Sequence, residues 1–203
     1  MKKIRFNIIL IILLLTNCIS ILNAEEKNYK IIKLVNDQII TNYDLEQRLK
    51  LFSVLNNVAI DQENIDRYGK QMLSLMVDEK LQLEQIILYK IFIKDSEVND
   101  YIDRVYLNKD NDINSLLINL KNKNVDIKIL EETIKIRLGW YNLSNRLYLR
   151  DSEINKIELE STMSQNPSLS EVQAKNIILQ KQIDLRAKKF LRDIRVEANI
   201  ENR

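Results

Sequence analysis

The stretch Val35–Phe52, VNDQIITNYDLEQRLKLF, decides the reading of the fold. Asn36-Asp37 supplies turn residues between two short apolar segments, Ile31–Val35 and Gln38–Ile40, the mark of a tight β-hairpin. Thr41 stands where an N-cap belongs, with Asp44 three residues later. That is close to a capping box, although the usual residue there is Glu or Gln. The spacing predicts strand, turn, strand, then a helix from about Tyr43 to Leu55.

Outward from this opening the chain reads as helix. The breakers are Gly69, Gly139 and Pro167 alone, and 45% of residues are hydrophobic. Scarce breakers permit long helices. One is expected from about Ile65 to Ile93, with Met72, Leu73, Met76, Leu83, Ile86, Ile87 and Lys90 in an i, i+3, i+4 rhythm. Asp95-Ser96-Glu97 opens a short helix to about Tyr106, and Ile113–Leu120 forms another. Ile127–Tyr148 is longer and apolar on two sides, as suits a helix buried between neighbours. Asp151-Ser152-Glu153 opens a further short helix. Ser161–Ser170, which holds the proline, reads as a linker.

The last helix is expected from about Ser170 to Asp193. The alternation in Arg195–Ile200 then reads as a strand. A two-stranded hairpin alone is marginal, so this strand is expected to join the N-terminal hairpin and bring the chain ends together. The fold class is mainly α: a multi-helix domain with a small β-sheet made from the N-terminal hairpin and a C-terminal strand.

Composition excludes several chemistries. A chain of 203 residues suits one domain plus a leader. With no histidine, Ser-His and Cys-His catalysis and His-ligated zinc or haem are excluded. The single cysteine, Cys18, lies in the leader, so cleavage would leave no disulfide, thiolate or Fe–S site. No cofactor or metal is expected. The formal charge is +2, but Lys2, Lys3 and Arg5 belong to the leader, which leaves 28 bases against 29 acids. Near-neutrality argues against a nucleic-acid footprint or an electrostatic membrane binder.

The leader has a basic start, Met1-Lys-Lys-Ile-Arg, and an unbroken apolar run, Ile8–Leu15. Ala24 is a cleavage residue before Glu25, so residues 1–24 read as a signal peptide that exports the chain to the periplasm. Leu22 is larger than usual at its position before the cut. Two alternatives stay open: a lipid-modified Cys18 after Leu15-Thr16-Asn17, and an uncleaved anchor over Phe6–Leu22.

Several segments, in order, resemble the SurA-type periplasmic chaperones. Val35-Asn-Asp-Gln-Ile-Ile-Thr with Asp44-Leu-Glu-Gln-Arg-Leu is similar to the family's N-terminal hairpin and first helix. Met76-Val-Asp-Glu-Lys-Leu-Gln-Leu-Glu-Gln is similar to its long helix. Ile93-Lys-Asp-Ser-Glu-Val and Leu149-Arg-Asp-Ser-Glu-Ile match later segments of the N-terminal domain. Phe190-Leu-Arg-Asp-Ile-Arg-Val-Glu-Ala-Asn-Ile resembles the C-terminal helix and strand. The likeness spans nearly all of Lys30–Ile200, and its order is more specific than any one segment.

The resemblance implies a helical chaperone domain over 25–160, completed by a C-terminal helix and strand over 171–203. Between them, family members commonly carry parvulin-type prolyl isomerase domains. Here 161–170 is far too short for one, and the histidine typical of such sites is absent. The implied role is ATP-independent holding of unfolded outer-membrane proteins, with delivery to the outer-membrane assembly machinery, and no enzymatic step. The alternatives are an adaptor, periplasmic or membrane-anchored, with one dedicated partner, and a peptidyl-prolyl isomerase, which the missing domain disfavours.

A holding chaperone needs an apolar, aromatic-lined crevice with adaptable side chains, and methionine suits such a surface. Met72, Met76, Tyr89, Trp140, Tyr141 and Tyr148 are the candidates for peptide binding. The competing reading is that they pack inward as core. Asp110-Asn111-Asp112-Ile113-Asn114 imitates the start of a calcium loop but lacks its glycine, at Ser115, and its bidentate acid, at Lys121, so it reads as a turn and helix cap. Asp78, Glu79 and Glu84 read as solvated or locally paired carboxylates on an exposed helix face.

Overall fold

The computed structural model describes residues 29–107 and 112–203. The expected leader and the first residues of the calcium-loop imitation lie outside them. Among the described residues the chain is mainly helical, with one three-stranded antiparallel sheet of order β2-β1-β3. Strands β1 (Ile31–Val35) and β2 (Gln38–Thr41) form the hairpin, and β3 (Ile200–Asn202) lies on the far side of β1. A C-terminal strand thus joins the N-terminal hairpin, as expected.

Asn36 makes the hairpin turn with φ 49°, a left-handed conformation that Asn tolerates better than most residues. Its side chain also accepts from the Asn199 amide at 2.9 Å, while its own amide donates to the Asn199 carbonyl at 2.8 Å. One turn residue therefore fixes the approach of the third strand. Thr41 caps the first helix, α1 (Asn42–Asn56), as expected. The Asp44 amide donates to Thr41 Oγ1 at 3.1 Å, and the Thr41 amide donates to Asp44 Oδ2 at 2.8 Å. Aspartate is long enough to close this box.

The remaining helices are α2 (Gln62–Leu88), α3 (Asp95–Tyr106), α4 (Ile113–Asn122), α5 (Ile127–Tyr148), α6 (Lys156–Gln165) and α7 (Glu171–Glu197). None of the described helices is long and apolar enough to cross a membrane. Asp112 caps α4 by accepting from the Ser115 amide at 2.7 Å, which holds its carboxyl below the usual range.

Four boundaries depart from the sequence reading. Helix α2 stops at Leu88, not Ile93. Lys90 turns left-handed at φ 53°, with Lys90 N donating to Ile87 O and Ile91 N to Ile86 O, both at 3.0 Å. This is a Schellman stop with lysine where glycine is usual, so no glycine betrays it. Helix α6 starts at Lys156 under an Asn155 cap rather than at Asp151, and continues through Gln165. The expected linker is thus helical over its first half. Asn166-Pro167 ends the helix, since proline disfavours helical backbone in the residue before it. Helix α7 continues to Glu197, so the final strand starts at Ile200, not Arg195.

Two apolar clusters form the core. One joins Val35 and Ile40 of the sheet to Met72, Met76, Val77 and Leu81 of α2, with Leu191 and Ile194 of α7 packed against them. The other gathers Leu51 of α1, Val98 and Ile102 of α3, Leu116 and Leu120 of α4, and Leu130 and Ile134 of α5. Helix α1 contributes to both.

The two glycines have opposite environments. A Cβ on Gly69 would meet nothing within 4 Å, whereas one on Gly139 would come within 2.9 Å of Ile86 Cδ1 and 3.2 Å of two further Ile86 carbons. Gly139 thus permits the close approach of α5 to α2. Gly69→Ala raises stability by about 0.5–1 kcal/mol, because alanine favours an open helical site. Gly139→Val lowers it by about 1–3 kcal/mol through overpacking. Urea unfolding of both variants checks the contrast.

Candidate functional site

The three carboxylates that read as solvated on α2 are tertiary clamps. Asp78 pairs with Arg195 of α7. Glu79 pairs with Arg48 of α1. Glu84 accepts from Asn36 Nδ2 at 2.9 Å and Gln38 Nε2 at 2.8 Å, both from the hairpin. Their spacing along α2 directs each toward a different neighbour, so one helix ties together α7, α1 and the sheet. Sequence gives no partner for a charged side chain, and these partners lie 31 to 117 positions away.

The Arg48–Glu79 pair marks the floor of an open cavity. Arg48 also donates to Thr133 Oγ1 of α5, and Thr133 in turn donates to the Ile129 carbonyl at 2.7 Å. Burial raises the Glu79 carboxyl above the usual range, against the opposing pull of the Arg48 charge. Above this floor an open groove of about 820 Å³ runs between α2 and α5. The segment after α2, bearing Ile91, Phe92 and Ile93, contributes to its lining. Leu83, Ile86 and Ile87 line the α2 wall, and Ile129 and Ile136 the α5 wall. Lys135 of α5 pairs at 2.9 Å with Asp95, the first residue of α3, and so ties down the end of this segment.

The apolar lining continues onto the surface. Phe92 is 85% exposed and Ile87 66%. A large aromatic so exposed beside an apolar groove is the kind of feature that marks an interaction surface. The groove holds aliphatic side chains, Phe92 at its rim, Tyr43 and Asp44 from α1, the charged Lys80, Lys90, Glu132 and Lys135, and the Arg48–Glu79 pair below. It suits apolar side chains of a partner, and among the described residues no three side chains of metal-ligating type come together.

The six residues singled out from the sequence are not gathered in one place. Met76 lines the groove and also belongs to the core beside the sheet. Met72 is core alone. Trp140 stacks on Phe190 of α7 at 5.6 Å between ring centroids and 7° between planes, a packing contact between helices. Tyr89 caps α2, and its carbonyl accepts from Arg146 at 3.0 Å. Tyr148 is half-buried, and its phenol is raised by burial and by nearby Tyr89. Tyr141 is exposed outside the groove. Sequence reasoning missed Ile87, Ile91 and Phe92, because a helix continued to Ile93 hides the turn at Lys90. The apolar triplet Ile91-Phe92-Ile93, crossing the helical rhythm, was the available signal.

No protein-family model matches this chain, and no curated protein matches it.

Proposed function

We propose that the protein is an ATP-independent holding chaperone of SurA type. It works in the periplasm on unfolded outer-membrane β-barrel precursors, without a prolyl isomerase domain, and hands them to the outer-membrane assembly machinery. The observation that carries this reading is the open 820 Å³ apolar groove with Phe92 exposed at its rim. The sequence likeness over Lys30–Ile200 supplies the choice of client.

The mechanism is reversible shielding. Client side chains that enter the groove leave water, and each contributes roughly 1.5–3 kcal/mol before the cost of association. Two or three such side chains give modest affinity and rapid release. Aliphatic side chains and the exposed Phe92 impose few directional demands, so many sequences fit. Competition with aggregation then depends on how much chaperone is present.

The test is light scattering of a denatured outer-membrane porin diluted into buffer with residues 25–203. The expected result is suppression near stoichiometric amounts, and little effect on an unfolded cytoplasmic protein. The double variant Ile87→Asp with Phe92→Asp keeps its fold, since both side chains are exposed and such changes stay within about 0.5 kcal/mol. It loses most of the suppression. No suppression by the wild type would overturn the proposal in favour of a dedicated-partner adaptor.

A further inference from the structure

We infer that, while the leader is still attached, its apolar stretch Ile8–Leu22 occupies the groove of its own chain, and that the expected cut after Ala24 is what opens the groove. The place where the described chain begins carries this. Tyr29 comes first, and its ring packs edge-on against Tyr43 of α1, with 5.1 Å between centroids. Tyr43 lines the groove. Beside it the Lys30 amide donates to Asn42 Oδ1 at 2.8 Å, and the Lys30 carbonyl accepts from the Asn42 amide at 2.9 Å. These contacts fix residues 29 and 30 to the first turn of α1, so the chain that precedes Tyr29 starts at the α1 end of the groove.

The preceding sequence suits that place. Residues 6–24 hold no charged side chain, and Ile8–Leu15 and Ile19-Ser20-Ile21-Leu22 are strongly apolar. Residues 23–28 separate Leu22 from Tyr29, and at about 3.3 Å each they reach on the order of 20 Å. Charge does not choose the occupant, because Asp44 and Glu132 line the groove along with Lys80, Lys90 and Lys135. An uncharged segment needs no match to that mixture, and lysine stems can lie along it with their charges in water. It would also cover Ile87 and Phe92 at the rim. Proximity does choose. A segment on a short tether has an effective concentration on the order of millimolar, far above that of a free partner at micromolar levels. A cut after Ala24 leaves only Glu25-Glu26-Lys27-Asn28 before Tyr29, with nothing apolar to place in the groove.

The docking does not depend on the chaperone reading. One consequence does: the uncut chain is closed to clients and the cut chain is open to them.

Cell-free translation without membranes gives the uncut chain 1–203, with a photoreactive residue at position 92 or, as control, at exposed position 172 outside the groove. Irradiation at 92 is expected to give a product of monomer size whose tryptic digest joins position 92 to residues 6–27, about tenfold above the yield from 172. Leu13→Asp with Leu22→Asp leaves the groove's own side chains untouched and lowers that yield about tenfold or more, since each leucine removed from the groove is worth at least one such factor. No leader crosslink at 92, a crosslink to a second copy instead, or a leader crosslink that survives both aspartates would overturn the inference. Porin light scattering is read separately. A leader crosslink with no suppression by residues 25–203 removes only the chaperone, and suppression by 25–203 with no leader crosslink removes only this inference.

Discussion

Arg48→Ala lowers the unfolding free energy by about 3–5 kcal/mol, the usual effect of removing one partner from a buried ion pair. Arg48 is buried and joins three helices, α1 through its own backbone, α2 through Glu79 and α5 through Thr133. Alanine leaves the Glu79 carboxylate desolvated without the cation that hydrogen-bonds it. The double variant Arg48→Met with Glu79→Leu, which removes both charges and keeps volume, recovers most of the loss. A double variant as unstable as the single one would mean that packing, not charge, sets the cost.

The same pair sets a pH dependence. Burial holds the Glu79 carboxyl above the ordinary carboxylate range in the folded protein, so the fold binds its proton more tightly than the unfolded chain does. Its contribution to stability is therefore full below the unfolded value and is lost as pH rises through the folded one. Removing Arg48 takes away the main effect that lowers this carboxyl and raises it further. The deficit of Arg48→Ala is accordingly largest at neutral pH and smaller at about pH 5, as paired urea titrations will show.

Ending the chain at Gln165 abolishes cooperative unfolding. The truncation removes α7 and β3, and with them Ala174, Ile178, Ile183 and Ala187, all buried. The two isoleucines alone account for roughly 3–6 kcal/mol of burial, against a total stability of about 5–15 for an ordinary domain. The loss also strips Leu191, Ile194 and Ile200 from the cluster beside the sheet, unstacks Trp140 from Phe190, and exposes the β1 edge. Circular dichroism melts distinguish the outcomes. A sharp transition in the truncated chain would show that the C-terminal helix is an appendage and not part of this core.

The opening Val35–Phe52 stretch was legible because its signals are local. A two-residue turn and a hydroxyl with a carboxylate three residues on need no distant partner, and both formed where the sequence placed them. The fold class followed from scarce breakers and helical rhythm. Boundaries failed where the stop was made by something other than glycine or proline. Lys90 ends α2 by adopting a left-handed backbone that its side chain does not advertise. Arg195 stays helical, where its side chain reaches Asp78 and Ser74 on α2.

The groove was harder to read. Its walls are ordinary isoleucines whose periodicity is that of any buried helix face. The space between α2 and α5 comes from their separation around the Arg48 floor and their approach at Gly139. Aromatic residues drew attention by type, yet Trp140 was consumed by packing against α7, and Phe92 was hidden by an extended helix. Residue type suggested what a binding surface needs, and only the arrangement of helices decided which residues remain open.

The most direct measurement is site-specific photo-crosslinking to an unfolded porin. A photoreactive residue replaces Phe92 in one variant and Val172 in another. Both positions are highly exposed, and Val172 lies outside the groove. If the groove holds clients, position 92 crosslinks strongly and position 172 weakly, and an excess of unlabelled porin suppresses the signal at 92. Equal crosslinking at both positions, or stronger crosslinking at 172, would contradict client binding in the groove.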